Sequence, residues 1–114
     1  SKLEFMDIQE LNTKSEEASS LLTLLANPHR LRILCALLEG ERSVSSLETV
    51  VDLSQSALSQ HLARLRQARV VSTRREAQSI FYAIADDRAA RVLEVLAEIF
   101  CKPTSKRKAK RKTQ

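Results

Sequence analysis

The chain predicts a mostly α-helical domain with one small β-hairpin placed before its last helix. Three observations predict this. Glycine occurs once and proline twice in 114 residues, which leaves little for a turn-rich β architecture. Hydrophobic residues make up 43% of the chain and aromatics only 4%, so the core is one of Leu, Ile, Val and Ala at helical spacing. That spacing breaks only near residues 70–84, where β-branched and aromatic residues gather. The length suits a single domain with one modest core.

The elements follow in order. Residues 1–13 are mixed and read as a flexible lead-in or a frayed first turn. From Lys14 to Ala26, the spacing of Ala18, Leu21, Leu22 and Leu25 predicts an amphipathic first helix. Asn27-Pro28 ends it and starts the next, with Asn27 as cap and Pro28 at the first helical position. This second helix runs to about Glu39, with Leu31, Leu34, Cys35 and Leu38 on one stripe, and Gly40 marks its end. Ser43 caps a short third helix that turns Leu47 and Val50 or Val51 inward. Asp52-Leu53 forms a turn, and Ser54 caps a fourth helix reaching roughly Ala68. Residues 70–73 and 80–84 read as two strands, with Arg74–Ser79 as the hairpin tip. Asp86 or Asp87 caps a last helix whose apolar face holds Val92, Leu93, Leu96, Ile99 and Phe100. Helices, a tight turn, a further helix, a two-stranded wing and a closing helix make a winged helix-turn-helix (α-α-α-α-β-β-α). The folded part spans residues 14–101 and is followed by a basic tail over 102–114.

The fourth helix carries the functional signal. Leu58, Leu62 and Leu65 share one face, while Gln55, Ser56, Ser59, Gln60 and Ala63 share the opposite one. A face that only meets water usually carries Glu and Lys. Small side chains permit approach to a major-groove floor, glutamine pairs with an adenine edge, and serine donates to or accepts from several bases. His61 stands at the border of the leucine stripe, where packing, a phosphate bond and a base contact are all open. Arg64 and Arg66 near the helix end, with Arg74, Arg75 and Gln78 at the wing, suit phosphate or minor-groove contacts.

Charge distribution agrees. Of the 19 basic residues, seven lie in residues 102–114, which leaves 12 against 14 acidic residues elsewhere. Yet residues 54–85 hold five arginines (Arg64, Arg66, Arg69, Arg74, Arg75) against the single acid Glu76, so the recognition segment is the basic zone of the body. The expected partner is double-stranded DNA.

SQSALSQHLARLRQARVV resembles the recognition helix of ArsR-type repressors, with its S-x-H-L core and the wing that follows. LLTLLANPHRLRILCALLEGERSV resembles their opening helices, and the likeness covers about residues 18–101. It implies a homodimer paired through its first and last helices, docked on an inverted-repeat operator. It also implies a repressor that releases DNA when an inducer arrives. Two-fold symmetry doubles the few contacts that one helix and wing offer.

Most such regulators sense metals, and this chain lacks both usual sites. Where E-L-C-V-C-D-L would hold a thiolate pair, Leu47–Leu53 has Thr49 and Val51, and the last helix contains no histidine. No metal and no cofactor are expected. Cys35 in the second helix and Cys101 at the end of the last resemble the arrangement of the sulfide- and redox-responsive branch, the BigR, SqrR and HlyU type, with one cysteine in each of those helices. The wing's R-R-E-A-Q-x-x-F-Y run, Arg74–Tyr82, fits that branch as well. The resemblance implies that the two thiols face one another and are joined by persulfide chemistry or by a disulfide. Reactive sulfur species or oxidants would then be the inducer. Residue by residue, Cys35 on an apolar stripe also reads as a small buried hydrophobe.

No C-x-x-C motif, Ser–His–Asp set or paired carboxylates point to an enzyme, and no leader or membrane span is legible. A cytoplasmic regulator is expected. The tail, with Lys102, Lys106, Arg107, Lys108, Lys110, Arg111 and Lys112 and no acid, reads as disordered, either solubilising or an electrostatic arm for DNA.

Overall fold

The computed structural model describes residues 7–101, so the expectations for residues 1–6 and for the tail at 102–114 lie outside the described residues. Among the described residues six helices and a three-stranded antiparallel sheet make a winged helix-turn-helix. Residues 8–13 of the expected lead-in form a short helix, α1 (Ile8–Thr13), capped by the Asp7 carboxylate, which accepts from the backbone N–H groups of Gln9 and Glu10. The next helix, α2 (Ser15–Leu25), buries Leu24 and Leu25, while Leu22 is 55% exposed and Ala18 faces solvent.

Asn27 caps α3 (Pro28–Leu38) as expected: its side-chain oxygen accepts from the N–H groups of His29 and Arg30, both at 3.0 Å. The buried face of α3 differs from the expected stripe. Arg30, Ile33, Leu34, Ala36 and Leu37 are buried, Leu31 and Leu38 are half-buried, and Cys35 is exposed. Residues 31–38 are apolar almost all round apart from Arg32, so spacing alone cannot choose which side meets the core. Arg30 is buried with its guanidinium donating to the carbonyls of Leu24 and Thr23 at the end of α2.

The two-residue strand β1 (Arg42–Ser43) precedes α4 (Val44–Val50), which Ser43 caps. Arg42 ties this corner together, donating to the Ala36 carbonyl, the Ser46 hydroxyl and the Glu39 carboxylate. Of the two candidate inward valines, Val51 is buried and Val50 is exposed. After residues 51–54 comes α5 (Gln55–Gln67), whose Ser54 Oγ accepts from the Ala57 N–H at 3.1 Å. Its C-terminus closes with the Arg69 N–H donating to Arg66 and the Val70 N–H to Leu65. Arg69 is left-handed there (φ +62°), and Val70 and Leu65 are both in the core.

The wing is longer and tighter than expected. β2 (Val71–Glu76) pairs with β3 (Ser79–Ile84), and Glu76 sits opposite Ser79. The turn is only Ala77-Gln78, with Ala77 at φ +57°, so Arg74 and Arg75 belong to a strand rather than to the tip. β3 is the central strand, because β1 pairs with its other edge through Arg42–Tyr82 and Ser43–Phe81. Asp86 caps α6 (Asp87–Phe100), accepting from the N–H groups of Arg88 and Ala89. Only Ala89 and Leu93 of α6 are buried; Val95, Ile99 and Phe100 are 51%, 66% and 78% exposed. Among the described residues no single helix is long and apolar enough to cross a membrane.

One core joins all layers, with Ile33, Leu34, Leu47, Leu58, Leu65, Val70 and Leu93 fully buried. Leu58→Ala therefore leaves a cavity under α5 and is expected to lower unfolding free energy by about 3 kcal/mol. Ser59→Ala, one residue on and exposed, is expected to change it by under about 0.5 kcal/mol. Urea unfolding of both variants checks the contrast.

Candidate nucleic-acid interface and thiol cleft

Burial of Leu58, Leu62 and Leu65 turns the other side of α5 outward. Gln55, Ser56, Ser59, Gln60, Ala63 and Arg64 are all exposed, as the helical wheel predicts. Beside them runs a groove of about 720 Å³ between the start of α4, the polar flank of α5 and the wing. Ser45, Ser59, Arg66, Gln67, Gln78 and Ser79 are among the residues lining it. The fold thus joins Gln78 of the wing to Ser59 of α5 across one groove. Ser45, Gln67 and Ser79 were not singled out from sequence. Only the packing of α4 and β3 around α5 brings them there, and no local spacing encodes it.

His61 lies on the inner border of this face, half-buried. Its ring stands 5.7 Å from that of His29 at the start of α3, tilted by 37°. Burial, and then the charges of Arg30, His29 and Arg64, hold the His61 imidazole below its ordinary range. Its packing side is towards α3. The Nδ1 atom of His29 is buried without a protein hydrogen-bond partner among the described residues.

At the wing, Arg75 and Gln78 are exposed. Arg74 is engaged within the chain: its guanidinium pairs with Glu41 and Glu76 and lies 4.5 Å from the centroid of the Phe81 ring.

On the far side of α3, Cys35 and Cys101 are free thiols lining a single cleft of about 640 Å³ between α3 and α6. Both are accessible, so the expectation of Cys35 as a buried hydrophobe is corrected: the core takes Ile33, Leu34 and Leu37 and leaves Cys35 on the cleft wall. Arg32, Glu39, Glu94 and Glu98 also line the cleft. Partial loss of water around its sulfur pushes the Cys35 thiol up, and the neighbouring Cys101 adds to the rise. Among the described residues no three His, Cys, Asp or Glu side chains gather as a metal site.

The raised Cys35 value has a definite sign. The thiolate is the nucleophile, so near pH 7 little of Cys35 is reactive, and reactivity climbs as pH rises. Iodoacetamide trapping of the reduced chain, mapped by peptide mass, is expected to give a Cys35 midpoint above the free-thiol value of about 8.5. Cys101→Ser should bring that midpoint down. A midpoint at or below the free-thiol value contradicts the assigned environment.

With this geometry in hand, the relatives are informative. Residues 27–73, from the cap of α3 into the wing, match the family described as "Bacterial regulatory protein, arsR family". The chain is 48% identical over 93 residues to the biofilm growth-associated repressor of Agrobacterium fabrum, covering 82% of this chain and 80% of that one. It is 46% identical over 96 residues to the transcriptional activator HlyU of Vibrio cholerae, covering 84% and 89%. The crystal structure of the transcriptional repressor BigR from Xylella fastidiosa superposes with a TM-score of 0.80 at 38% identity, over 86% of this chain and all of that one. The chain therefore belongs to the arsR family of bacterial regulatory proteins, DNA-binding transcriptional regulators rather than enzymes.

Proposed function

We propose that this chain is a cytoplasmic homodimeric repressor that loses its operator when Cys35 and Cys101 are bridged. DNA is read by Gln55, Ser56, Ser59 and Gln60 of α5, with Arg64, Arg75 and Gln78 on the flanking backbone and His61 supporting the helix from behind. The operator is an inverted repeat, matched to two protomers related by a two-fold axis.

The observation that carries the switch is the shared cleft: two cysteines from distant parts of the chain line one opening between α3 and α6. A bridge there ties α3 to α6. The dimer reading is supported by uncovered apolar side chains on the opening and last helices: Ile8 and Leu11 on α1, Leu22 on α2, and Val95, Ile99 and Phe100 on α6. A change in the angle between α3 and α6 then alters the spacing of the two recognition helices.

Two bridges are chemically available. A peroxide takes two electrons from the thiol pair, joins the sulfurs directly and leaves as water. A polysulfide hands two sulfurs to one thiolate and leaves as a shorter polysulfide. The second thiolate then attacks the middle sulfur of the resulting Cys–S–S–SH, displacing the terminal sulfur as hydrosulfide and closing a bridge longer by one sulfur. Added sulfur gives span without backbone movement, whereas a direct disulfide needs Cα atoms about 4.4–6.8 Å apart. A reduced-state Cα separation wider than that range favours polysulfides and persulfides, which we take as the inducers. Two further readings have support. An oxygen-based oxidant ties the same two cysteines by a direct disulfide. Activation by displacing a silencer from DNA is favoured by the relative from Vibrio cholerae, which is named a transcriptional activator.

The test footprints the reduced protein on its own upstream DNA, then treats it with polysulfide or with peroxide and follows intact mass and affinity. Polysulfide is expected to add one or more sulfur atoms across the two cysteines and to weaken binding by roughly tenfold to a hundredfold. Cys35→Ser should keep full affinity under both treatments. Unchanged binding after polysulfide, or equal release of the Cys35→Ser protein, contradicts the switch. Equal bridging and release with both reagents removes the preference for sulfur.

A further inference from the structure

Arg74 is the wing residue whose surroundings fit a DNA contact least. It stands on β2 opposite Phe81 of β3, with its guanidinium over the Phe81 ring. Its Nε and Nη2 atoms donate to the two carboxylate oxygens of Glu41, each at 2.7 Å, and Nη1 donates to Glu76 at 2.8 Å. Every nitrogen of the group is engaged. Glu41 lies 33 residues earlier, between the end of α3 and β1. A two-bond fork between a planar guanidinium and a carboxylate fixes orientation as well as distance, which a point charge does not. Isolated surface ion pairs contribute little, but this one is bidentate, joined by a second carboxylate and seated on a ring. The Arg74 hydrogen bond is also the main cause that holds the Glu41 carboxyl below its usual range. Arg75 has no ion pair among the described residues, and alternation along the strand turns it to the other face of the hairpin.

We propose that Arg74 is a positioning residue for DNA binding: clamped to Glu41 and laid over Phe81, it sets where the wing stands against the helix-turn-helix. It does not touch phosphate. The carboxylate of Glu41 then has a constructive role beside a DNA-binding surface, where an acid by itself would only repel the duplex.

The two possible roles give opposite signs. If Arg74 met phosphate, Glu41→Gln would free the guanidinium and remove a repelling charge, so DNA would bind more tightly. Arg74→Lys would keep most of the contact. If Arg74 positions the wing, Glu41→Gln weakens binding, and Arg74→Lys is as damaging as Arg74→Gln because lysine cannot form the fork. The experiment measures binding of the full-length reduced variants to a labelled duplex containing the site footprinted by the parent protein, at about 0.15 M salt. Thermal unfolding is recorded beside it. Glu41→Gln, Arg74→Gln and Arg74→Lys are each expected to weaken binding roughly fivefold, and combining Glu41→Gln with Arg74→Gln to cost no more than either alone. Unfolding midpoints are expected to stay with the parent. Unchanged or tighter binding by Glu41→Gln, near-parental binding by Arg74→Lys, or loss of binding only in step with a lowered midpoint would each overturn the proposal.

Discussion

The burial of one face of α5 is the constraint on which the rest of the molecule depends. Leu58, Leu62 and Leu65 are almost wholly removed from water, and a 13-residue helix has only one way to hide three such side chains in one core. Their burial sets the rotation of the helix about its axis, and with it the direction of Gln55, Ser56, Ser59 and Gln60. It also sets the exit of the chain. Leu65 and Val70 pack at the helix end while Arg69 takes the left-handed turn between them, and this aims β2 back along the sheet. Recognition face and wing are thus consequences of the same leucine contacts.

Helix α3 links the parts that a regulator must connect. It packs against α2, α4, α6 and β3. At its first turn His29 meets His61 of the recognition helix, in its middle Cys35 opens onto the cleft with Cys101, and past its end Glu41 holds Arg74 of the wing. Close-packed elements shift as units rather than deform locally. A covalent tie between α3 and α6 would therefore be felt by an element that touches both α5 and the wing. Partial burial and the neighbouring Cys101 both push the Cys35 thiol up.

Much of this was legible in the sequence where the signal is local. Asn27, Ser43 and Ser54 are caps in the structure as in the sequence reading, and Asp86 is the one of the expected Asp86 or Asp87 that caps α6, because a cap is decided by a side chain and the next two or three N–H groups. The polar face of α5 was legible because its two faces differ sharply in chemistry. The buried side of α3 was not, since residues 31–38 offer apolar side chains in nearly every direction and only the surrounding layers choose among them. The strand β1 has two residues and so no period to detect. The pairing of Arg74 with Glu41 was not legible either, since Glu41 lies too far along the chain for any spacing rule to reveal.

The central claim is that the outward polar face of α5 reads DNA and does not merely face water. The most direct measurement replaces Ser59 and Gln60 together by alanine in the reduced protein and compares affinity for the footprinted site and for a scrambled duplex. Alanine suits an exposed helical position, so the fold should be kept. The account predicts a loss of roughly tenfold or more on the footprinted site with little change on the scrambled one, since base contacts specify and backbone contacts do not. Equal affinity of parent and variant for the footprinted site would contradict it.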